Sequence, residues 1–221
     1  MNVLVLGLYA EGRTDDRFLP IMIQRTSELI LAQYDRANIE ALEPIVIKKG
    51  PSISSRDECI LQAAQEAAEY HALVAHSDAD NRTHKQTRIA LFDPGYELVQ
   101  RTAGNLCKNL LPIIPVRMVE AWMLADYEKL RESLGTSLTI RDLGLHRRPR
   151  QVELYQDPKE ILKQIVQKSY PNQPGRWGRI IGKLYDELAS EIRLERLSEV
   201  PAYRQFKDDL IATLKKLNFV H

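Results

Sequence analysis

Short, largely apolar runs alternate with stretches of helical periodicity through the first 134 residues, and this alternation constrains the fold more than any other feature. Residues 3–9 are continuously apolar, as in a strand buried on both faces of a parallel sheet. Further runs follow at 44–48, 72–77 and 111–116. Between them, Leu19, Ile23, Ile30 and Tyr34 recur at helical spacing, as do Ile60, Ala64 and Ala67, and then Tyr96, Val99, Ala103, Leu106 and Leu110. The order βαβαβαβα predicts an α/β fold, a three-layer parallel sheet of Rossmann-like type with right-handed crossovers. Residues 81–93 read as a polar loop with a helical turn. Pro112 and Pro115 put the last strand at an edge or a strand end, and residues 117–126 follow as a helix.

The pattern changes near residue 134. Residues 139–156 are basic and irregular, and helical spacing then returns three times. Ile161, Ile165 and Val166 mark one helix, Ile181, Leu184, Leu188 and Ile192 a second, and Tyr203, Phe206, Leu210, Leu214 and Leu217 a third. The expected organisation is an α/β domain over 1–134 with a helical C-terminal part, 135–221, packed on it. The formal net charge of +1 means that a nucleic-acid contact must come from a local basic patch. Cys59 and Cys107 form no C-x-x-C and read as buried thiols in a reducing compartment. No apolar run approaches membrane-spanning length, and the N-terminus reads as a strand, not a signal peptide. The expected location is the cytoplasm, with no membrane partner.

The chemistry concentrates where predicted strands end. Residues 73–80 begin apolar and finish in two carboxylates, Asp78 and Asp80. Glu11 follows the first strand and Glu120 the last. In a parallel sheet these strand ends share one edge, so acids far apart in sequence can converge there. Such a set suits Mg²⁺ or Mn²⁺, whereas zinc would want His or Cys. A pair of such ions could activate water and brace a phosphoryl oxygen. Each acid alone has a plainer reading: a strand terminator for Glu11, solvated turn residues for Asp78 and Asp80, a partner of Arg117 for Glu120. Asp15, Asp16 and Asp126 read as helix-end or surface charges, with Thr14 as an N-cap and Gly12 allowing a tight turn. His76 reads as a core histidine and Trp122 as a core residue.

A strand ending in Glu11-Gly12-Arg13-Thr14-Asp15 and a later one ending in Asp78-Ala79-Asp80 resemble the Toprim domain, the metal-binding module of topoisomerases, primases and overcoming-lysogenization-defect nucleases. The likeness covers roughly the first 125 residues. With residues 119–126 and the helical tail, the chain is similar to small stand-alone Toprim-like proteins of unassigned function, often associated with partner ATPases in anti-phage systems. The resemblance implies Glu11 as general base or metal ligand, Asp78 and Asp80 as metal ligands, and Glu120 as a further acid. Asn81-Arg82-Thr83 follows the D-x-D where many Toprim domains carry Gly. No tyrosine reads as a topoisomerase nucleophile, so water would attack.

The expected activity is therefore Mg²⁺- or Mn²⁺-dependent hydrolysis of phosphodiesters in nucleic acid, DNA ahead of RNA. Arg117 beside Glu120 is the candidate phosphate contact nearest the chemistry. Arg176, Arg179 and Lys183, at i, i+3 and i+7, form a second basic face, and Arg147, Arg148 and Arg150 a third. Two rival readings stand beside this one. D-x-D also marks sugar-nucleotide transferases, and the chain could be a non-catalytic or regulatory subunit of an ATPase.

Overall fold

The computed structural model describes residues 2–10, 12, 14–48, 50, 55–80 and 82–221. It is an α/β fold with parallel sheets only and a helical C-terminal part. The first apolar run forms β1 (Asn2–Leu4) and β2 (Leu6–Tyr9), and the second forms β4 (Ile45–Ile47); β3 (Ile39–Ala41) precedes the second run and is an additional strand. β1 pairs with β3, and β2 with β4. The first run is interrupted at Val5, whose N–H donates to Nδ1 of the His71 imidazole at 3.0 Å. With β5 (Ala72–His76) and β6 (Leu110–Ile113) the main sheet has the order β4-β2-β5-β6.

Alternation along each strand sends side chains to two separate cores. Leu6, Leu8, Val74, Leu111 and Ile113 face one; Tyr9, Ile47, Leu73 and Ala75 face the other. α1 (Asp15–Gln33) covers the first face, through Phe18, Leu19, Met22 and Ile23. α2 (Arg56–Glu66) and α4 (Asp93–Arg101) cover the second, through Ile60, Ala63, Ala64 and Val99. The polar stretch before α4 is more helical than its composition suggests. α3 (His84–Leu91) starts on a capping box in which Thr83 and Gln86 satisfy each other's backbone N–H. α4 ends at Arg101, so Leu106 lies in the connection to β6 and Leu110 opens that strand. Pro112 sits in β6, the edge strand, where its missing N–H costs least.

α5 (Val119–Met123) and α6 (Tyr127–Leu134) follow β6. Turns and a 3₁₀ stretch (Pro149–Leu154) lead to α7 (Pro158–Ser169), α8 (Trp177–Glu191), α9 (Leu194–Leu197) and α10 (Pro201–Lys216). Ile165, Leu188, Tyr203 and Leu210 belong to the same core as Leu6, Phe18 and the fully buried Trp122. Arg25 on α1 donates to the carbonyls of Ala189 and Ile192, satisfying orphan acceptors at the end of α8. Cys59 and Cys107 are buried free thiols. Among the described residues no helix is long and apolar enough to cross a membrane.

Candidate metal centre at the strand ends

The connection leaving β2 runs through α1 on one face to the strand on its left. The chain then returns across β2, and α2 and α4 carry it to β5 and β6 over the other face. The sheet therefore has a topological switch point between β2 and β5, where open α/β sheets bind ligands beyond their C-terminal strand ends. A cavity of about 270 Å³ lies there, lined by Gly12, Thr14, Asp15, His76, Asp78, Met118, Glu120 and Lys159.

Asp15 is the first residue of α1 and only 7% exposed. Burial pushes its carboxyl up to about 6, against the pull of His76, with Asp78 and Glu120 adding to the rise. Gly12 earns its place by space. A Cβ there would stand 2.6 Å from Asp15 Oδ2, so any other residue would collide with the carboxylate. Thr14 precedes the helix in αR geometry and makes no side-chain cap; its hydroxyl is engaged with Tyr185.

His76 ends β5 on the same face as Val74 and is 1% exposed. Its Nδ1 lies 3.6 Å from Asp15 Oδ2 and its Nε2 3.3 Å from Asp78 Oδ1. Neither ring nitrogen has a hydrogen-bond partner among the described residues, nor does the buried Oδ1 of Asp78. A core histidine would be satisfied; this one stands between two carboxylates at the wall of a cavity. Glu120, on α5 and 3% exposed, accepts a hydrogen bond from the hydroxyl of Tyr185 on α8. Burial raises the Tyr185 phenol far above its ordinary range, and Glu120 adds to this.

Asp78 and Glu120 thus meet in one cavity, together with Asp15 and His76, which the sequence reading had assigned to other roles. Asp80 does not line it. The strand stops at His76, and Asp80 lies in the following loop, exposed and with φ +51°, a conformation that Asp tolerates better than most residues. Glu11 and Asn81 lie outside the described residues. Arg117 has φ +75° and is absent from the cavity wall. Arg176, Arg179 and Lys183 line a different cavity. Among the described residues, the cation at the acid site is Lys159, in the first turn of α7.

Three carboxylates, an imidazole and orphaned buried acceptor atoms suit a hard divalent cation better than an apolar ligand. Among the described residues, no three or more His, Cys, Asp or Glu side chains are placed together so as to hold a metal ion. Asp16 and Asp126 are spent elsewhere: Asp16 pairs with Lys48, and the buried Asp126 caps α6 and binds Arg193. No protein family, curated protein or solved structure matches the chain.

Proposed function

We propose that the chain hydrolyses phosphodiester bonds in nucleic acid, using Mg²⁺ or Mn²⁺ held at the switch-point cavity. One observation carries this reading. Asp15, Asp78 and Glu120, from three separate segments, converge with His76 at the C-terminal edge of the sheet, and a lysine stands at the same cavity. Carboxylates that share one cavity repel one another, and a divalent cation relieves that repulsion.

Asp78 and Glu120 would hold the cation; the Toprim-like pattern implies Glu11 and Asp80 as further ligands, but Asp80 lies in the loop beyond the cavity wall. A bound divalent ion supplies stabilisation of phosphoryl oxygens and a more acidic water. Lys159 would offer its ammonium to a non-bridging phosphate oxygen. Tyr185 fixes the Glu120 carboxylate through its hydroxyl. Water attack on phosphorus breaks one P–O ester bond and leaves a phosphomonoester end and a hydroxyl end. An ionised Asp15, or Glu11, would take the proton from the attacking water, and a solvent water would protonate the departing oxygen to give the hydroxyl end. The Toprim-like resemblance extends the proposal to an anti-phage setting with a partner ATPase, in the cytoplasm, where Cys59 and Cys107 stay reduced.

The test is metal-stimulated cleavage of DNA and RNA by the full chain, compared with Asp78→Asn and Glu120→Gln. Loss of cleavage of about a hundredfold or more in both, with the fold retained, is expected for groups that hold a catalytic ion. Cleavage undiminished in both variants would overturn the proposal.

A further inference from the structure

We propose that the basic cavity at the start of α8 is a nucleotide-binding site, separate from the acid cavity and independent of the hydrolysis assigned to it. The cavity measures about 410 Å³, within the range of small-molecule sites. Arg176, Arg179 and Lys183 line it against one carboxylate, Glu187.

These cations are available. Arg176 donates one N–H to Gln173 Oε1 at 3.0 Å and keeps its others. Arg179 and Lys183 make no ion pair or side-chain hydrogen bond among the described residues. α8 begins with no side-chain cap and no acid in its first turn, so its leading N–H groups add positive potential at the same place. The entry to α8 is fixed, because Trp177 Nε1 donates to the Tyr170 carbonyl at 2.9 Å.

The rest of the wall is not what a bare phosphate needs. Tyr170, Ile180 and Leu184 provide an aromatic and apolar side. The Tyr170 ring is held by its hydroxyl, which donates to the Leu134 carbonyl. Ser133 lines the cavity, and its Oγ has no hydrogen-bond partner among the described residues. Phosphates on the arginines, a base against Tyr170 and Ile180, and sugar hydroxyls on Ser133 and Glu187 use every side of the cavity. Glu187 would repel a second backbone phosphate, which favours a mononucleotide over a nucleic-acid strand.

Helix geometry separates this site from the acid one. Lys183 and Tyr185 are two residues apart, about 200° around the helix. Tyr185 reaches Glu120, so the basic row faces the other way.

The experiment titrates the full chain with fluorescently labelled ADP and competes it with ADP, pyrophosphate and a short single-stranded oligonucleotide. Saturable binding is expected, with ADP outcompeting pyrophosphate. The double substitution Arg179→Ala/Lys183→Ala, both exposed, should weaken binding by about tenfold or more. Asp78→Asn should leave it unchanged, so failure here and failure of the hydrolysis reading are told apart. Absence of saturable binding overturns the proposal. So does pyrophosphate competing as well as ADP, the oligonucleotide displacing the probe more effectively than ADP, or Asp78→Asn abolishing binding. An unaffected Arg179→Ala/Lys183→Ala double variant, or Lys183→Gln weakening the probe no more than a distant Lys163→Gln, also overturns it.

Discussion

The hydroxyl of Tyr185 donates to the Glu120 carboxylate, and both groups are buried where the C-terminal helices meet the sheet edge. This bond joins the helical part to the acid cavity. Tyr185→Phe removes the donor and leaves a buried acceptor, at a cost of about 1–3 kcal/mol. Removing both groups, with Tyr185→Phe/Glu120→Leu, should restore part of that loss, because no stranded carboxylate remains. Urea denaturation of both variants checks this. A double variant no more stable than Tyr185→Phe would show that Glu120 finds other support.

Asp15 gives the fold a pH dependence of opposite sign to most carboxylates. Its folded value of about 6 lies above the unfolded value near 3.8, so the native state binds the extra proton. Its favourable contribution is complete below about pH 4 and disappears as pH rises through 6. Asp15→Asn should therefore be more stable than the parent at pH 8, by up to about 3 kcal/mol, with the gap closing towards pH 4. Thermal melts of the metal-free protein across that range measure it.

Arg193 and Asp126 behave in the reverse sense. The Asp126 side chain is 1% exposed. It accepts from Arg193 Nε at 2.7 Å, Nη2 at 2.6 Å and the Arg193 backbone N–H at 3.1 Å. Burial pushes its carboxyl up, but the Arg193 bonds outweigh this and hold it below the usual range. That contribution is present above pH 4 and is lost as pH falls below it. Arg193→Ala should lower stability at pH 7, by less than loss of a fully buried partner would, because the guanidinium is partly solvated. Its deficit relative to the parent should shrink in acid.

Lys159 and Lys183 separate the two cavities kinetically. If phosphodiester cleavage occurs at the switch point, Lys159→Ala should lower kcat by about ten- to a hundredfold, through loss of a cation beside the phosphate. Lys183→Ala should leave kcat for cleavage within about twofold, since it faces the other cavity. Equal effects of the two substitutions on cleavage would contradict this separation.

The four strands of the main sheet, their order along the chain and the helices α7, α8 and α10 were legible because apolar spacing is a local signal, whereas β3, three residues long, was not. So was the edge position of β6, from Pro112. The meeting of Asp78 and Glu120 was legible from their shared place after strands. His76 and Asp15 were not. A histidine in an apolar run looks like core, and an acid in a first helical turn looks like a dipole partner. The packing of α8 against α1, with Glu120 of α5 at the same cavity, makes Asp15 a site residue. Lys159 had no local signal, since α7 is brought to the cavity by long-range packing. α3 hid behind polar composition, although Thr83-x-x-Gln86 was its start signal. α4 ran too long in the reading because Leu106 and Leu110 continue its spacing by coincidence, past a turn at Gly104 with φ +118°.

The small-residue face of α2 allows a test of how closely the second core is packed. Gly95 on α4 lies against α2, where a Cβ would stand 2.8 Å from Ile60 Cδ1, 3.1 Å from Ile60 Cβ and 3.3 Å from the Asp57 Cα. Two of these atoms belong to the stem of a branched side chain and to backbone, neither of which yields easily. Gly95→Ala gains helix propensity of about 1 kcal/mol but forces the helices apart, so a net loss of about 1–2 kcal/mol is expected. Gly178, in the first turn of α8, provides the control. A Cβ there meets nothing within 4 Å, so Gly178→Ala should stabilise the protein by up to about 1 kcal/mol. Chemical denaturation of the two variants should give opposite signs. A stabilised Gly95→Ala would mean that α2 and α4 can separate without cost, and that the Ala63 and Ala64 face does not set their spacing.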